Sequence, residues 1–329
     1  MRWPRRAGVL PARVAVARVA LVARVALALS ALPGLTACSA TPPPEQAGVR
    51  HVPGGPRVAR ELEPTELFPA DLDLVVRFDL GRMRAGLGPL AADALSKKAL
   101  QGAGEPELLE ALACAEVVWI AAHAAEVDSG DRVIVLEGKE CMPELGRARW
   151  EKIRSGNAKV TIFDRKGEAP RSGTARIVNL NNRATVFVSA VELDGVKRVL
   201  DDGPDEKRGS PTAAGLVSVD LRARALPPGL AKRYPSIAGV LAGIERIKGS
   251  AVLVDDGLKL DAQVLGKAPA GAERAAKFLE AMRGSLLEGR FAEAAKGAKI
   301  EVVERTVEVK LTVPAKALLA VVSGDEKVP

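Results

Sequence analysis

From residue 60 to the end of the chain, apolar and polar positions follow two periods. In TVEVKLTV, Val307, Val309, Leu311 and Val313 alternate with Thr306, Glu308, Lys310 and Thr312. That period of two predicts an antiparallel strand with one face on a core and one face in water. AEVVWIAA, residues 115 to 122, is apolar at almost every position, which predicts a strand near the middle of a sheet. In AERAAKFLEAMRGSLLE, Ala275, Phe278, Leu279, Met282 and Leu286 recur at helical spacing, so this segment predicts a helix laying one apolar stripe on a sheet. PELGRARWEKI, residues 143 to 153, predicts a second such helix with Trp150 as its large anchor. Turn chemistry punctuates the strands. Asp255-Asp256-Gly257 interrupts VLVDDGLKL and Asn181-Asn182 interrupts NLNNRATV, each the signature of a tight hairpin.

The same order of elements occurs twice. VVRFDLGR at 75 to 82 is matched by LVSVDLRA at 216 to 223, and KVTIFDR at 159 to 165 by KIEVVER at 299 to 305, at offsets of 141 and 140 residues. VLEGK at 135 to 139 and VLGK at 264 to 267 close a hairpin in each half, and the polar stretch DDGPDEKRGSP at 201 to 211 separates the halves. The predicted fold class is therefore α+β. It consists of two similar units of antiparallel sheet with helices packed on one face, a first unit over 60–205 and a second over 206–329.

The N-terminal region changes the picture. VALALSALPGLTA, residues 25 to 37, carries no charge and follows a run of arginines. This is the layout of an export signal, and the run is shorter than the ~20 residues of a spanning helix. Leu35-Thr36-Ala37-Cys38 resembles the lipobox of bacterial lipoproteins. The resemblance implies a signal peptide over 1–37, cleavage after Ala37, diacylglycerol on the Cys38 thiol and acylation of the new amino group. Residues 38–59, with prolines 42, 43, 44, 53 and 56, then form a tether reaching up to ~3.1 Å per residue. Ser39 rather than aspartate after the cysteine implies an outer-membrane location with the body in the periplasm. The duplicated body resembles exported bacterial proteins, many of them lipoproteins, built from a repeated strand-helix-hairpin unit. No activity comes with that resemblance.

Charge and cysteine content narrow the partners. Basic residues number 48 against 41 acidic ones, but Arg2, Arg5, Arg6, Arg13, Arg18 and Arg24 all precede Cys38, so the body is close to neutral. With aromatic residues at 3%, a nucleic-acid partner is not expected. Cys114 and Cys141 flank two strands and fall opposite each other about position 127.5, if the chain turns near Asp128-Ser129-Gly130. An exported compartment permits a bridge between them, and two buried free thiols stay open as the alternative.

Catalytic and metal signatures are incomplete. Neither G-x-S-x-G, a P-loop nor H-E-x-x-H occurs, and Gly102-Ala103-Gly104 has Glu107 where a dinucleotide fingerprint needs glycine. His51 and His123 are the two histidines, so a four-ligand metal site would need distant carboxylates; no metal or cofactor is expected. His123 beside Asp131 reads as structural rather than as an acid-base pair. Asp79 and Asp220, at matching positions, read as caps of strand-to-helix steps. DDGPDE at 201 to 206 lacks the spacing of a calcium loop. The expectation is a non-enzymatic, membrane-anchored envelope protein that binds another protein or an envelope component, through its polar strand face or a groove between halves. A carrier of apolar cargo is the alternative.

Overall fold

The computed structural model describes residues 62–87, 105–124, 131–155, 157–169, 173–204, 211–222, 235–255, 257–287 and 291–314. The expected signal peptide, lipobox, Cys38 and tether, His51, Gly102 to Gly104, the expected turn at 128 to 130 and part of the 201–211 stretch lie outside the described residues.

A short 3-10 helix, Pro64–Leu67, precedes β1 (Leu74–Asp79), α1 (Leu80–Leu87), α2 (Pro106–Cys114), β2 (Val117–Ala122), β3 (Arg132–Glu137), β4 (Trp150–Ile153), β5 (Val160–Arg165), β6 (Thr174–Leu180), β7 (Ala184–Ser189) and α3 (Leu193–Asp202). Then follow β8 (Val217–Arg222), α4 (Pro235–Ala242), β9 (Ile244–Val254), β10 (Gly257–Gly266), α5 (Pro269–Leu286), α6 (Ala292–Gly297), β11 (Lys299–Val303) and β12 (Thr306–Pro314). The fold is mixed α and β, with antiparallel pairing throughout.

The expected pair of sheets is one 12-stranded sheet, in the order β11-β12-β10-β9-β8-β1-β2-β3-β7-β6-β5-β4. The strands VVRFD and VSVDL that open the two sequence halves hydrogen-bond each other, with Arg77 opposite Ser218 and Phe78 opposite Val217. No gap therefore separates the halves where the sequence suggested a groove. Outside Cys38 and its tether, the residue ranges 60–205 and 206–329 contribute β1 to β7 and β8 to β12 respectively.

Period-two alternation sorts the sheet's side chains onto two faces. One face of β1 to β7 presents Phe78, Val118, Ile134, Leu136, Ile177 and Phe187, covered by Leu108, Ala111 and Leu112 of α2 and Met83 of α1. The opposite face presents Val75, Trp119, Val133, Val135, Val178 and Val186, covered by Leu67 and Phe68 of the 3-10 segment and Val196 and Val199 of α3. This half is thus covered on both sides, not on the single face expected, which is why β2 and β7 read as continuously apolar. In the other half α5 and α6 cover one face only.

Two sequence-predicted helices differ from expectation. Residues 143 to 146 are irregular, and Trp150 begins edge strand β4, opposite Arg165. Trp150 is an anchor as expected, but beneath α2: its indole N–H donates to Glu107 Oε1 at 2.9 Å. Four residues with alternating side-chain directions satisfy that burial, and a helix is not needed. The 269–286 helix forms as predicted, with Ala272, Ala275, Ala276 and Leu279 packed against the sheet and Gly271 against Gly243. Met282 and Leu286 from the predicted stripe stay about two-fifths exposed, at 43% and 41%. Small residues let the first turns of α5 approach the sheet closely, so its C-terminal half extends past the core.

Gly215, just before β8, has φ +70°, and a Cβ there would collide with the Ala251 carbonyl, which accepts the Leu216 N–H at 2.8 Å. Gly215→Ala is expected to destabilise by about 1–3 kcal/mol from the left-handed backbone alone, measured by urea unfolding. A change below a few tenths would mean that the 211–216 segment sits elsewhere.

Candidate binding surface

Polar side chains line one face of the sheet from its centre outward, and they change character along the way. At the centre, Arg77 stacks over the Trp119 ring at 5.5 Å and donates to Asp79 Oδ2 at 2.9 Å and to the Gly215 carbonyl at 3.2 Å. Asp79 uses its other oxygen to accept the Arg82 N–H at 2.9 Å, the capping role predicted for it. Ser218 on β8 is buried and donates to the Thr212 carbonyl at 2.6 Å.

Asp220 was expected to cap a helix as Asp79 does. Instead it is buried within β8 and takes both donors of Arg246, one of them Nε at 2.7 Å. The bonded carboxylate holds the Arg246 guanidinium above its ordinary range, against the opposing effect of partial burial. The two aspartates match in sequence and differ in partner because β8 is flanked by β9, whose Arg246 lies diagonally across, whereas Asp79 stands at the last position of β1.

Outward from β8 the same face opens to water. Lys248 and Ser250 on β9 are half-buried, while Lys259 on β10, Thr312 and Lys310 on β12, and Lys299 and Glu301 on β11 are exposed. Lys259 pairs with Asp261 at 3.3 Å and Lys310 with Glu308 at 2.8 Å. Lys310 is pushed up from its ordinary range, chiefly by its bond to Glu308, with Glu301 and Asp261 adding attraction. Exposed pairs of this kind contribute little to stability. What they make is a broad face with interleaved charge, on the side where β3 and β7 instead carry the 3-10 helix and α3.

A second charged group gathers at the N-terminus of α2 but is closed. Glu105 accepts Arg165 at 2.7 Å and the Thr174 N–H at 3.1 Å, and Glu107 accepts Arg149 at 3.0 Å. Burial lowers Arg132 from its usual range, while Glu105 and Asp131 pull the other way. These carboxylates lie where a helix dipole favours anions and are occupied by arginines, so the group fastens α2 to β4, β5 and β6.

His123 sits 3.8 Å from the buried Glu192. Asp71 is exposed in a turn, and Asp73 accepts the Ala124 N–H at 2.6 Å. No group of three or more potential metal ligands occurs among the described residues. Among the described residues, no helix is long and apolar enough to cross a membrane.

Cys114 and Cys141 form a disulfide with Cα atoms 5.6 Å apart. The geometry differs from the strand opposition expected, because Val117 faces Glu137 and both cysteines lie beyond the paired strands. Cys114 is the last residue of α2, so the bridge ties a helix end to the segment after β3. Gly138 makes room: a Cβ there would stand 2.6 Å from Cys141 Sγ and 2.9 Å from the Cys114 carbonyl.

No family profile matches this chain. No curated protein matches it. Among solved structures, crystal form I of TP0453 is similar at 12% identity and TM-score 0.46, covering 81% of this chain and 99% of that one. Crystal form III of TP0453 is similar at 11% identity and TM-score 0.43, over 80% and 98% of the two chains.

Proposed function

We propose that this protein is a lipid-anchored, non-enzymatic binding module of the bacterial cell envelope. Cys38 is the acylated residue and Leu35-Thr36-Ala37 the signal preceding it; the body stands in the periplasm on its proline-rich tether, at the outer membrane. The observation that supports a binding role is the open face of β8 to β12. A sheet that is covered on both faces over β1 to β7 leaves Lys259 and Lys310 facing water, with Lys248 and Asp261 half-buried beside them, a surface suited to a protein or a charged envelope component. The body is read as a tandem duplication. An offset of 141 residues makes Arg77 and Ser218 equivalent positions, and they are paired with each other at the centre of the sheet. Outward from that pair, β2-β3-β7-β6 and β9-β10-β12-β11 run in corresponding order. This order matches β11 with β6, whereas the sequence similarity of KIEVVER was to β5.

Anchoring is tested by intact mass and detergent partition of the full chain and its Cys38→Ala variant in a Gram-negative host. The wild type should gain the mass of two or three acyl chains and enter the detergent phase, and the variant should do neither. Equal partition of both removes the anchor. The binding role is tested in the same cells with a photo-crosslinking side chain at Lys259 or, for comparison, at the exposed Lys197 of α3. A discrete adduct from position 259 alone supports the open face, and adducts from both or neither count against it.

A further inference from the structure

The two ends of the sheet are finished differently. β4 is four residues long with Glu151 and Lys152 exposed, a short charged edge of the kind that discourages pairing. At the other end β11 carries Val302 and Val303, 45% and 54% exposed, and no strand pairs with its outer side among the described residues. Beside it, Arg283 donates to the Ala298 carbonyl at 3.2 Å, which brings the exposed Met282 and Leu286 of α5, and Leu287 just after it, to the start of β11.

The charges on β11 are oddly placed for a finished edge. Across the hairpin, Lys299 faces Lys310 and Glu301 faces Glu308, and like charges directly opposite are unfavourable. Lys310 and Glu308 bond each other at 2.8 Å along β12. Among the described residues neither Lys299 nor Glu301 has an ion-pair partner within 4.0 Å, and Glu301 has only a longer-range attraction to Lys310.

We infer that β11 pairs antiparallel with β11 of a second copy of this chain, about a twofold axis at Ile300. In that register Lys299 of each copy lies opposite Glu301 of the other. An axis one residue on, at Glu301, would place two carboxylates against each other. Backbone polarity agrees with the first choice. Val303 and Thr306 close a two-residue turn and so form a hydrogen-bonded pair, which directs Lys299 and Glu301 inward to β12 and Ile300 outward. Ile300 then meets its counterpart as a hydrogen-bonded pair, and the Lys-Glu positions become the closer, non-hydrogen-bonded ones. A twofold axis normal to the sheet keeps both α5 helices on one side, so Met282, Leu286 and Leu287 of both copies flank the junction. Backbone bonds and apolar burial supply the affinity, and the exposed ion pairs select the register.

The test is sedimentation of the full chain in detergent as wild type, Lys299→Glu, Glu301→Lys, the double reversal, and an equimolar mixture of the two single variants. The wild type should be dimeric. Each single reversal should weaken association by about 10- to 30-fold, as two attractive contacts become repulsive. The double reversal should restore the dimer, and so should the mixture, since each repulsive variant complements the other across the axis. Circular dichroism confirms that each variant is folded. A monomeric wild type, or a dimer unchanged by either single reversal, overturns the proposal.

Discussion

Asp79→Ala is expected to lower the free energy of unfolding by about 3–5 kcal/mol, the loss that follows when one partner is stripped from a buried ion pair. Both side chains of the Arg77-Asp79 pair are largely buried, at 11% and 12% exposure. Arg77 lies in a β1 ladder between Trp119 and Ser218 and cannot reach water without disturbing the centre of the sheet. The same substitution removes the cap on Arg82, worth about 1 kcal/mol of the total. Asp79→Asn separates the two effects: the amide oxygen can still accept the Arg82 N–H, so the cap survives while the charge is lost. The asparagine variant should therefore fall between wild type and alanine in urea unfolding. Replacing both partners, as Arg77→Met with Asp79→Leu, should recover much of the loss, because a filled apolar pair leaves no unpaired charge. A cost under 1 kcal/mol for Asp79→Ala would mean that Arg77 is hydrated.

Removing the Cys114-Cys141 bridge should cost about 3–4 kcal/mol. The chain-entropy model gives this for a closed loop spanning a sequence separation of 27. For a body of this size that corresponds to a melting temperature lower by about 7–14 °C. The comparison is between wild type and the Cys114→Ala, Cys141→Ala double variant, each with and without reductant. Reductant should shift the wild type to the variant's value and leave the variant unchanged. Two identical wild-type curves would show that the thiols are free. The bridge has a local consequence as well: α2 is fastened at its N-terminus by Glu105 and Glu107 and at its C-terminus by Cys114, so loss of the disulfide frees only one end.

Which features were legible follows from the range of the forces involved. Hairpins depend on two or three residues, and both marked turns are where the sequence put them; Asn181 and Asn182 adopt φ of 50° and 56°, a conformation that asparagine tolerates. Alternation in TVEVKLTV identified a half-covered strand because burial there is one-sided. Alternation says nothing about which strand is the neighbour, so the pairing of β1 with β8, and with it the single sheet, was not readable. The buried charges were hidden for the same reason. VVRFD reads as though Arg77 faces water, and only the approach of Gly215, 138 residues away, closes over it. WEKI was absorbed into a helical pattern since four residues are too few to express a period. The predicted α5 stripe makes its contact at Ala275 and Leu279, but the seam continues toward Ala272 rather than on to Met282 and Leu286, because small residues carry little hydropathy signal.

The position of β1 bears on how the protein withstands force. The first described residues, Leu62 to Leu72, cross the covered face with Leu62, Leu67, Phe68 and Leu72 buried, and Arg183 grips the Leu62 carbonyl at 2.8 Å. From there the chain enters the middle of the sheet, between β2 and β8. A pull from the N-terminal side must first drag this strap off β3 and α3. It then loads a strand bonded along both edges, which yields by shear with many bonds breaking together, whereas an edge strand such as β4 unzips one bond at a time.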